Sequence, residues 1–355
     1  MDDEDSDELQ PIPDVPGGLL HLPPDSVRIV DADEEIFILY TLRGGLERWE
    51  GLGSIDSRRD EITVKLEIDE PSLPVTTAEH ICTPAVEGLP TSPLDSQPDE
   101  STSTPSPSPS KFRSKSIRAK RRSITKPTPK TITVEVQLLQ NTTSLRSRKG
   151  DTGSVLWRAS VHLARLLLTQ HHFPPPPPQT PLLAPTRLST SHILELGAGT
   201  GLLGVLLSPL VARYTITDIA PITPLIKKNL SLNGLHTSST VSVEELDWVQ
   251  IHTTPPASRA RLFPSLSGRA SEPPVDLVLC VDCLYNPALV GPLVSTIAHV
   301  AGAALVLVVS ELRDEDVLRA FLERWVGVEG WEVWRVGGNL LDPHFVAWVG
   351  WKNKS

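Results

Sequence analysis

The spacing of apolar residues predicts regular alternation of strands and helices in the carboxy-terminal half of the chain. From residue 191 onward, apolar runs of strand length alternate with amphipathic stretches of helix length, which is typical of an α/β fold. Strands are predicted at 192–196, 213–217, 240–244, 275–281, 303–309, 331–336 and 344–351. Helices are predicted at 201–209, 221–232, 287–300 and 313–326.

The composition of these strands predicts how the sheet is built. The runs VDLVLCV (275–281) and ALVLVV (304–309) are almost wholly apolar, which indicates parallel strands that are covered by helices on both faces. WEVWRV (331–336) and HFVAWVGW (344–351) are separated by a turn too short for a crossover helix, so they are expected to pair antiparallel. The pattern predicts a Rossmann-like seven-strand sheet that closes with an antiparallel hairpin.

The amino-terminal half offers fewer elements. EITVKLEID (61–69) and TITVEVQLL (131–139) alternate apolar and polar residues, so they are predicted to pair as an antiparallel hairpin. The segment EEIFILYTL (34–42) is apolar. GSVLWRASVHLARLLLTQ (153–170) has an apolar face at helical spacing and predicts an amphipathic helix.

Proline-rich and polar stretches separate these elements and set the expected organisation of the chain. The 34 prolines crowd into residues 71–130 and 173–185. Acidic, proline-bearing, Ser/Pro-rich and basic segments of this kind are expected to be disordered. The expected divisions are a disordered acidic terminus (1–26), an extension with a strand (27–69), a disordered Ser/Pro/basic insertion (70–130), a strand and helix leading into the core (131–170), a Pro-rich insertion (171–190) and the core (191–351).

Charge and composition limit the expected binding partners and the expected cellular location. The net charge of −10 argues against a general nucleic-acid binder. The basic stretch KFRSKSIRAKRRSITKPTPK (111–130) is interpreted as a solvated linker, with a nuclear address or a contact to ribosomal RNA left open. The acidic start MDDEDSDELQ does not resemble a signal peptide, and no apolar run approaches the ~20 residues of a membrane span. We expect a soluble, monomeric, cytoplasmic protein in a reducing compartment, without membrane contact.

A glycine-rich loop follows the first predicted core strand in HILELGAGTGLLG (192–204). Its glycines satisfy two templates. The spacing G-x-G-x-x-G from Gly199 to Gly204 fits a dinucleotide site, and E-x-G-x-G-x-G from Glu195 to Gly201 fits an S-adenosylmethionine (SAM) site. The antiparallel ending favours SAM, because a dinucleotide-binding domain continues with a second parallel half. Glu195 suits the cationic amine of SAM and is awkward beside a pyrophosphate.

Further candidate side chains follow the next strands. Asp218 ends the second core strand, where a carboxylate can accept both hydroxyls of a ribose. Trp248 follows the third strand and could pack on adenine. Asp282 and Tyr285 form a D-x-x-Y pattern after the fourth strand. Cys280 and Cys283 are interpreted as space-filling residues, because neither a second ligand pair for zinc nor a thioredoxin-like helix accompanies them; no metal is expected.

The combination of GSVLW, LELGAGTGLLG, TD, LDW and VDCLY resembles the family-16 seven-strand protein methyltransferases, most of which act on lysine. The closing stretches VSELRDEDVLRAFLERW, GWEVWRV and FVAWVGWK resemble the fungal ribosomal lysine methyltransferase 5 branch. The likeness covers roughly residues 131–351 and is weaker over 27–69. It implies a SAM-dependent protein-lysine N-methyltransferase acting on a large-subunit ribosomal protein. Transferred to this chain, it implies SAM contacts at Trp157, Gly197, Ala198, Gly199, Asp218, Trp248, Val281 and Tyr285.

Two catalytic roles are hypotheses at this stage. Asp282 could hold the incoming lysine ammonium and accept its proton through water, and Tyr285 could form a wall of the lysine channel. Three alternatives stay open. They are methylation of another protein target (a translation factor, a chaperone or a histidine side chain), an NAD-dependent oxidoreductase, and a non-catalytic methyltransferase fold that serves as an assembly or RNA-binding module.

Overall fold

The predicted strands form one large sheet, and a separate hairpin precedes them in the chain. A computed structural model describes residues 11–44, 49, 53–71, 130–143, 152–262 and 273–353. The expectations for residues 1–10 and for nearly all of the insertion at 70–130, including its basic stretch up to residue 129, lie outside these described residues.

In chain order the described strands are β1 (Val27–Arg28), β2 (Glu61–Asp69), β3 (Thr131–Leu139), β4 (His192–Leu196), β5 (Arg213–Asp218), β6 (Val241–Glu245), β7 (Leu277–Val281), β8 (Leu305–Glu311), β9 (Trp331–Arg335) and β10 (Phe345–Lys352). The described helices are α1 (Ala32–Arg43), α2 (Arg158–His172), α3 (Pro185–Leu188), α4 (Leu202–Leu207), α5 (Thr223–Leu232), α6 (Trp248–Thr253), α7 (Pro256–Leu262), α8 (Pro287–Val300) and α9 (Glu315–Val326).

The large sheet has the order β1-β9-β10-β8-β7-β4-β5-β6. The pairs β4–β5, β4–β7, β5–β6 and β7–β8 are parallel, and β10 runs antiparallel between β8 and β9. The predicted seven strands and the antiparallel closing hairpin are therefore confirmed. The short strand β1 adds an eighth strand at one edge, beside β9; two residues carry too little pattern to predict it.

Helices cover both faces of the sheet because the central strands bury side chains in both directions. Residues of α2, α4 and α5 belong to the core on one face, and residues of α1, α8 and α9 belong to the core on the other. The hairpin β2–β3, confirmed in antiparallel register from Glu61↔Leu139 to Asp69↔Thr131, packs on the first of these layers with Val64, Leu66 and Leu138 buried.

The apolar segment at 34–42 is helical, as part of α1, and one buried carboxylate links this helix to the sheet edge. Glu35 accepts hydrogen bonds from Trp348 Nε1 at 2.9 Å and from the Arg335 guanidinium at 2.8 Å. Burial raises the pKa of the Glu35 carboxyl, and the positive charge of Arg335 opposes that shift. Through these two hydrogen bonds Glu35 connects α1 to β9 and β10.

The expectation of disorder is wrong for two described segments. Residues 11–26 pack on the core through Leu19, Leu20 and Leu22, and the backbone of this segment pairs with residues 182–184 of the Pro-rich insertion. Leu182 and Leu183 are buried as well. Each segment contains a short apolar cluster between prolines, and these clusters gain burial from each other, which their composition alone does not reveal.

Candidate functional site

A cavity of about 500 Å³ opens at the carboxyl ends of β4, β5, β6 and β7, where open parallel sheets bind ligands. This volume is in the range of small-molecule and cofactor sites. Residues from five places in the chain line it: the stretch before α2, the glycine loop after β4, the end of β5, the start of α6 and the loop after β7.

The glycine loop after β4 packs closely against the Trp248 ring and the backbone of Gly153. Gly197 and Gly199 have φ angles of +64° and +58°, which side chains rarely adopt. A Cβ at Gly197 would lie 2.9 Å from the Trp248 ring, and a Cβ at Gly199 would lie 3.1 Å from the carbonyl oxygen of Gly153. Conformation therefore favours glycine at both positions, and at Gly197 the space beside the Trp248 ring also excludes a side chain. Gly204 lies inside α4 against Ile216, so it serves helix packing.

Asp218 connects the glycine loop to the end of β5. One carboxylate oxygen accepts the Gly199 N–H and the other accepts the Ile219 N–H, both at 2.8 Å. The side chain is nearly buried and lines the cavity. It does not cap α5, whose N-cap residue is Ile222. Asp218 therefore holds the loop in shape and presents a carboxylate to the cavity.

Two tryptophans form further parts of the cavity wall. Trp157 is the N-cap residue of α2, not a residue of its apolar face, and its indole N–H donates to the Thr152 carbonyl at 2.8 Å. Trp248 begins α6, and the carboxylate of Asp247 caps that helix by accepting the N–H groups of Val249 and Gln250. The Trp157 indole is therefore fixed by a local backbone contact, and the Trp248 ring lies against Gly197 of the glycine loop.

Asp282 has a buried side chain and an unusual backbone. Its φ of +60° is in the left-handed region, which aspartate tolerates better than most residues. The Arg313 guanidinium donates to its Oδ2 at 2.5 Å, and the Glu311 N–H donates to its Oδ1 at 3.5 Å. Burial raises the pKa of the Asp282 carboxyl, and the Arg313 charge opposes that shift.

The cysteines of the same segment are free and buried. Cys283 lies against Gly197 and donates to the Leu196 carbonyl oxygen at 3.4 Å. Its contact with Cys280 and its burial hold the pKa of the Cys283 thiol well above the usual range. This packing agrees with the interpretation of both thiols as space-filling. Among the described residues, no three His, Cys, Asp or Glu side chains group as metal ligands would.

Glu195 requires a correction. Within the part of the chain that the structure describes, the side chains lining the cavity do not include it. Its carboxyl is buried under the loop and accepts a hydrogen bond from the Tyr214 hydroxyl at 2.9 Å. Burial raises the pKa of Glu195 to about 8. The proposed contact with the amine of SAM is therefore wrong, because Glu195 faces the layer of α4 and α5.

We predict that Glu195 makes the stability of the protein depend on pH. Its folded-state pKa is above the ordinary 4.5, so its favourable contribution is complete below about pH 4.5 and is lost as the pH rises through about 8. Glu195→Gln should flatten the free energy of unfolding across that range, which denaturant titrations at several pH values measure. The exposed Glu245→Gln serves as the control and should leave the wild-type slope unchanged. Parallel curves for Glu195→Gln and wild type would contradict the assignment.

The structure brings the other predicted site residues together around one cavity. Its lining includes Trp157, Gly197, Ala198, Gly199, Asp218, Trp248, Val281, Asp282 and Tyr285. Sequence reasoning missed Arg313, which contacts Asp282 although 31 positions separate the two residues. The signal was an arginine two residues after the buried strand β8, at the same edge of the sheet, but its partner could not be identified from the pattern.

Comparisons with known proteins decide the family. A family model described as lysine methyltransferase matches residues 140–325, which is just over half of the chain. This chain belongs to the lysine methyltransferase family. The match spans every part of the cavity wall named above, from the stretch before α2 to the loop after β7, and reaches Arg313.

Curated relatives match parts of the chain. It is 30% identical to protein-lysine N-methyltransferase EFM2 of Saccharomyces cerevisiae over 37% of this chain and 30% of that protein. It is 26% identical to ribosomal lysine N-methyltransferase 5 of Zygosaccharomyces rouxii over 53% of this chain and 68% of that protein. A diaminohydroxyphosphoribosylamino-pyrimidine deaminase of Schizosaccharomyces pombe is 37% identical over 53% of this chain and 41% of its own length. The chain thus spans less than half of two of these relatives.

The cofactor of this family, SAM, fits the site. The cavity has the volume of a nucleoside-cofactor site, and the absence of a Cβ at Gly197 and Gly199 leaves the loop close to Trp248 and Gly153. The Asp218 carboxylate supplies acceptors for ribose hydroxyls. The residues of this cavity therefore fit SAM, the cofactor of the lysine methyltransferase family. None of the helices in the described part of the chain has the length and hydropathy of a transmembrane segment.

Proposed function

We propose that this protein transfers the methyl group of SAM to the side-chain amine of a lysine in a protein substrate. The observation that supports the proposal most strongly is the position of Asp282 and Tyr285, which line the same cavity as the glycine loop and Asp218. A cofactor surface and a polar acid–phenol pair thus share one cavity. This arrangement suits an enzyme that brings an amine to a bound methyl donor.

Each lining residue has a proposed part in holding the cofactor. Asp218 accepts the ribose hydroxyls, and Trp248 packs on the adenine ring. The backbone of the loop at Gly197, Ala198 and Gly199 approaches the amino-acid end of the cofactor. Trp157, Val281 and Tyr285 complete the wall.

When bound, SAM supplies a methyl group on a sulfonium sulfur that leaves as a neutral thioether. The protein must deliver a neutral amine, although a free lysine has a pKa near ~10.4 and is almost wholly protonated at neutral pH. The cavity removes water from the ammonium and aligns it, which supplies much of the rate enhancement. The ammonium must therefore give up one proton inside the cavity, so that the nitrogen would present a free lone pair to the methyl group that SAM would supply.

Asp282 is the proposed group that receives the lysine ammonium. A carboxylate has about four lone-pair sites, and the hydrogen bonds of Asp282 with Arg313 and with the Glu311 N–H leave acceptor capacity. The proton leaves through Asp282 and water. Tyr285 forms a wall of the channel, where the face of its ring interacts favourably with a cationic amine.

A large-subunit ribosomal protein is the proposed substrate, and the cytoplasm is the proposed location. The support is the likeness to ribosomal lysine N-methyltransferase 5, which extends over 68% of that relative. The likeness to EFM2 favours another protein target as the second candidate. Loops form the pocket that selects the protein substrate in this proposal. An experiment must therefore distinguish a ribosomal protein from another protein target.

The test is transfer of label from methyl-labelled SAM to separated fractions of a fungal extract: large ribosomal subunits, small subunits and the remaining supernatant. We expect label on a lysine of a large-subunit protein, located by mass spectrometry. Asp218→Ala should lower labelling by at least ~100-fold, because it removes the ribose acceptors and releases the glycine loop.

Each other outcome has a defined meaning. Label on a lysine in the supernatant would retain the enzyme class and overturn the ribosomal target. Label on nucleic acid, on a small metabolite or on histidine would overturn lysine methylation. Full binding of S-adenosylhomocysteine (SAH) without any transfer would favour the non-catalytic module.

A further inference from the structure

Arg313 lies between two buried carboxylates beside the cavity. Its guanidinium is 2.5 Å from Asp282 Oδ2 and 2.9 Å from Glu311 Oε2. The side chains of Asp282 and Glu311 are 2% and 7% exposed, and that of Arg313 is 21% exposed. The pairs are therefore shielded from water, and electrostatic contacts in such a setting are much stronger than at a surface.

The same guanidinium also contacts the ring of Trp157, which belongs to another part of the cavity wall. The Arg313 Cζ atom is 4.9 Å from the centre of the Trp157 ring, which is within the range of a cation–π contact. Asp282 and Trp157 both line the cavity, although one follows β7 and the other precedes α2. One side chain thus joins two parts of the cavity wall that come from different elements.

Neighbouring groups hold Arg313 in this position. Arg158, the first residue of α2, is 3.5 Å from Glu311 Oε1, so the cluster contains two positive and two negative charges. The backbone of Gly53 covers the guanidinium so closely that a Cβ there would collide with it. Backbone hydrogen bonds from Arg158 to Gly53 and from Ile55 to Leu156 hold this segment in place. A balanced, covered cluster favours one arrangement of its members.

We propose that Arg313 is a positioning residue of the methyltransferase site, which holds the Asp282 carboxylate and the Trp157 ring in place on the cavity wall. This inference rests on the proposed function for its catalytic consequence, and on the geometry alone for its effect on the cofactor. Arg313 acts through Asp282 and Trp157. Its planar group is needed because it must stack on a ring and bond a carboxylate at the same time.

Removal of Arg313 should change how activity depends on pH. The charged or titratable groups near Asp282 are Glu311 at the end of β8, Arg313 just after that strand and Cys283 from the loop of Asp282, with Arg158 beyond Glu311. Arg313 is the cation in direct contact with Asp282. Without it, Asp282 should take up a proton at higher pH, so an activity that needs the anion should be lost earlier as the pH falls.

The experiment uses the whole 355-residue chain and compares wild type, Arg313→Met, Arg313→Lys, Asp282→Asn and Asp282→Asn/Arg313→Met with the matched control Arg319→Met. Arg319 is an arginine of the neighbouring helix α9 with partly exposed ion pairs to Asp33, Glu315 and Asp316. The kcat and KM for the labelled protein substrate are measured from pH 5.5 to 9.5. The dissociation constant of SAH is measured by calorimetry, which requires no turnover.

For Arg313→Met we expect about a tenfold loss of kcat at pH 7.5 and about fivefold weaker SAH binding. The acid limb of the pH profile, which is the fall of kcat toward low pH, should have its midpoint about one pH unit higher than in wild type. Arg313→Lys should restore the acid limb but not the SAH affinity, because lysine keeps the charge and loses the planar stacking group. In the Asp282→Asn background, Arg313→Met should lower kcat no further. Arg319→Met should match wild type.

Two results would overturn the inference. One is an equal loss of kcat at every pH for Arg313→Met, which is the behaviour of a purely structural residue. The other is SAH affinity within twofold of wild type, and this second result counts even when no methyl acceptor is found. Wild type that binds SAH but labels no lysine contradicts the proposed function instead, and the SAH comparison then decides the inference alone.

Discussion

Gly197→Ala is expected to weaken SAM and SAH binding by at least ~100-fold, which is about 2.7 kcal/mol of binding free energy. Two causes act together. The residue has a φ of +64°, and the added methyl carbon would lie 2.9 Å from the Trp248 ring and 3.0 Å from Cys283 Sγ. The loop or the Trp248 ring must therefore move, and either movement changes the surface proposed to contact the cofactor. Calorimetric titration with SAH measures the loss.

A matched substitution separates the two causes. Gly302 has a φ of +53°, and a Cβ there would meet nothing within 4 Å. Gly302→Ala should thus cost about 1 kcal/mol of folding stability from backbone strain and leave SAH affinity at the wild-type value. If both variants bound SAH equally well, close packing of the loop on Trp248 would not be needed for the cofactor. Equal losses in both variants would point to global destabilisation.

Asp282→Asn is expected to lower kcat by about 100-fold while SAH affinity stays within about threefold of wild type. Asparagine keeps the size and the acceptor oxygen, and it tolerates the left-handed backbone with φ +60° at this position. The substitution therefore removes the negative charge with little change in shape. The lost charge can no longer attract the ammonium or take its proton. Steady-state kinetics with the labelled protein substrate provide the measurement.

The same exchange at the other end of β7 is the control. Asp276 accepts the His192 N–H through Oδ2 at 2.8 Å, and its neighbourhood is on the amino side of the parallel strands, away from their carboxyl ends. Asp276→Asn should leave kcat unchanged. An Asp282→Asn enzyme with wild-type kcat and intact SAH binding would remove Asp282 from the mechanism and, with it, the catalytic part of the role given to Arg313.

Elements with a strong local pattern were predictable. The seven core strands and the hairpin β2–β3 lie within a few residues of their predicted bounds, because apolar runs and period-two alternation are local properties. Trp157 is a residue whose position the local pattern did not predict. Periodicity placed it inside an amphipathic helix, whereas it precedes α2 as the N-cap residue and lines the cavity.

Two errors have a common physical cause. The segment around Leu19 and Leu20 and the Pro-rich stretch around Leu183 looked disordered by composition, but each is buried partly against the other. Glu195 looked like a ligand by its place before the glycines, but its strand turns it toward Tyr214. Burial depends on partners distant in the chain, and local composition does not identify those partners.

The sequence by itself determined the alternation of buried strands with helices, the closing hairpin, the glycine loop, and the acidic residues at the strand ends, because each depends on a short run of residues. Only the tertiary structure decided which of those side chains share a cavity. It also decided that Arg313 neutralises Asp282 and contacts Trp157, because these three residues come from separate elements. Their chemistry depends on distances of a few ångströms that the packing of α2, β7 and β8 alone sets.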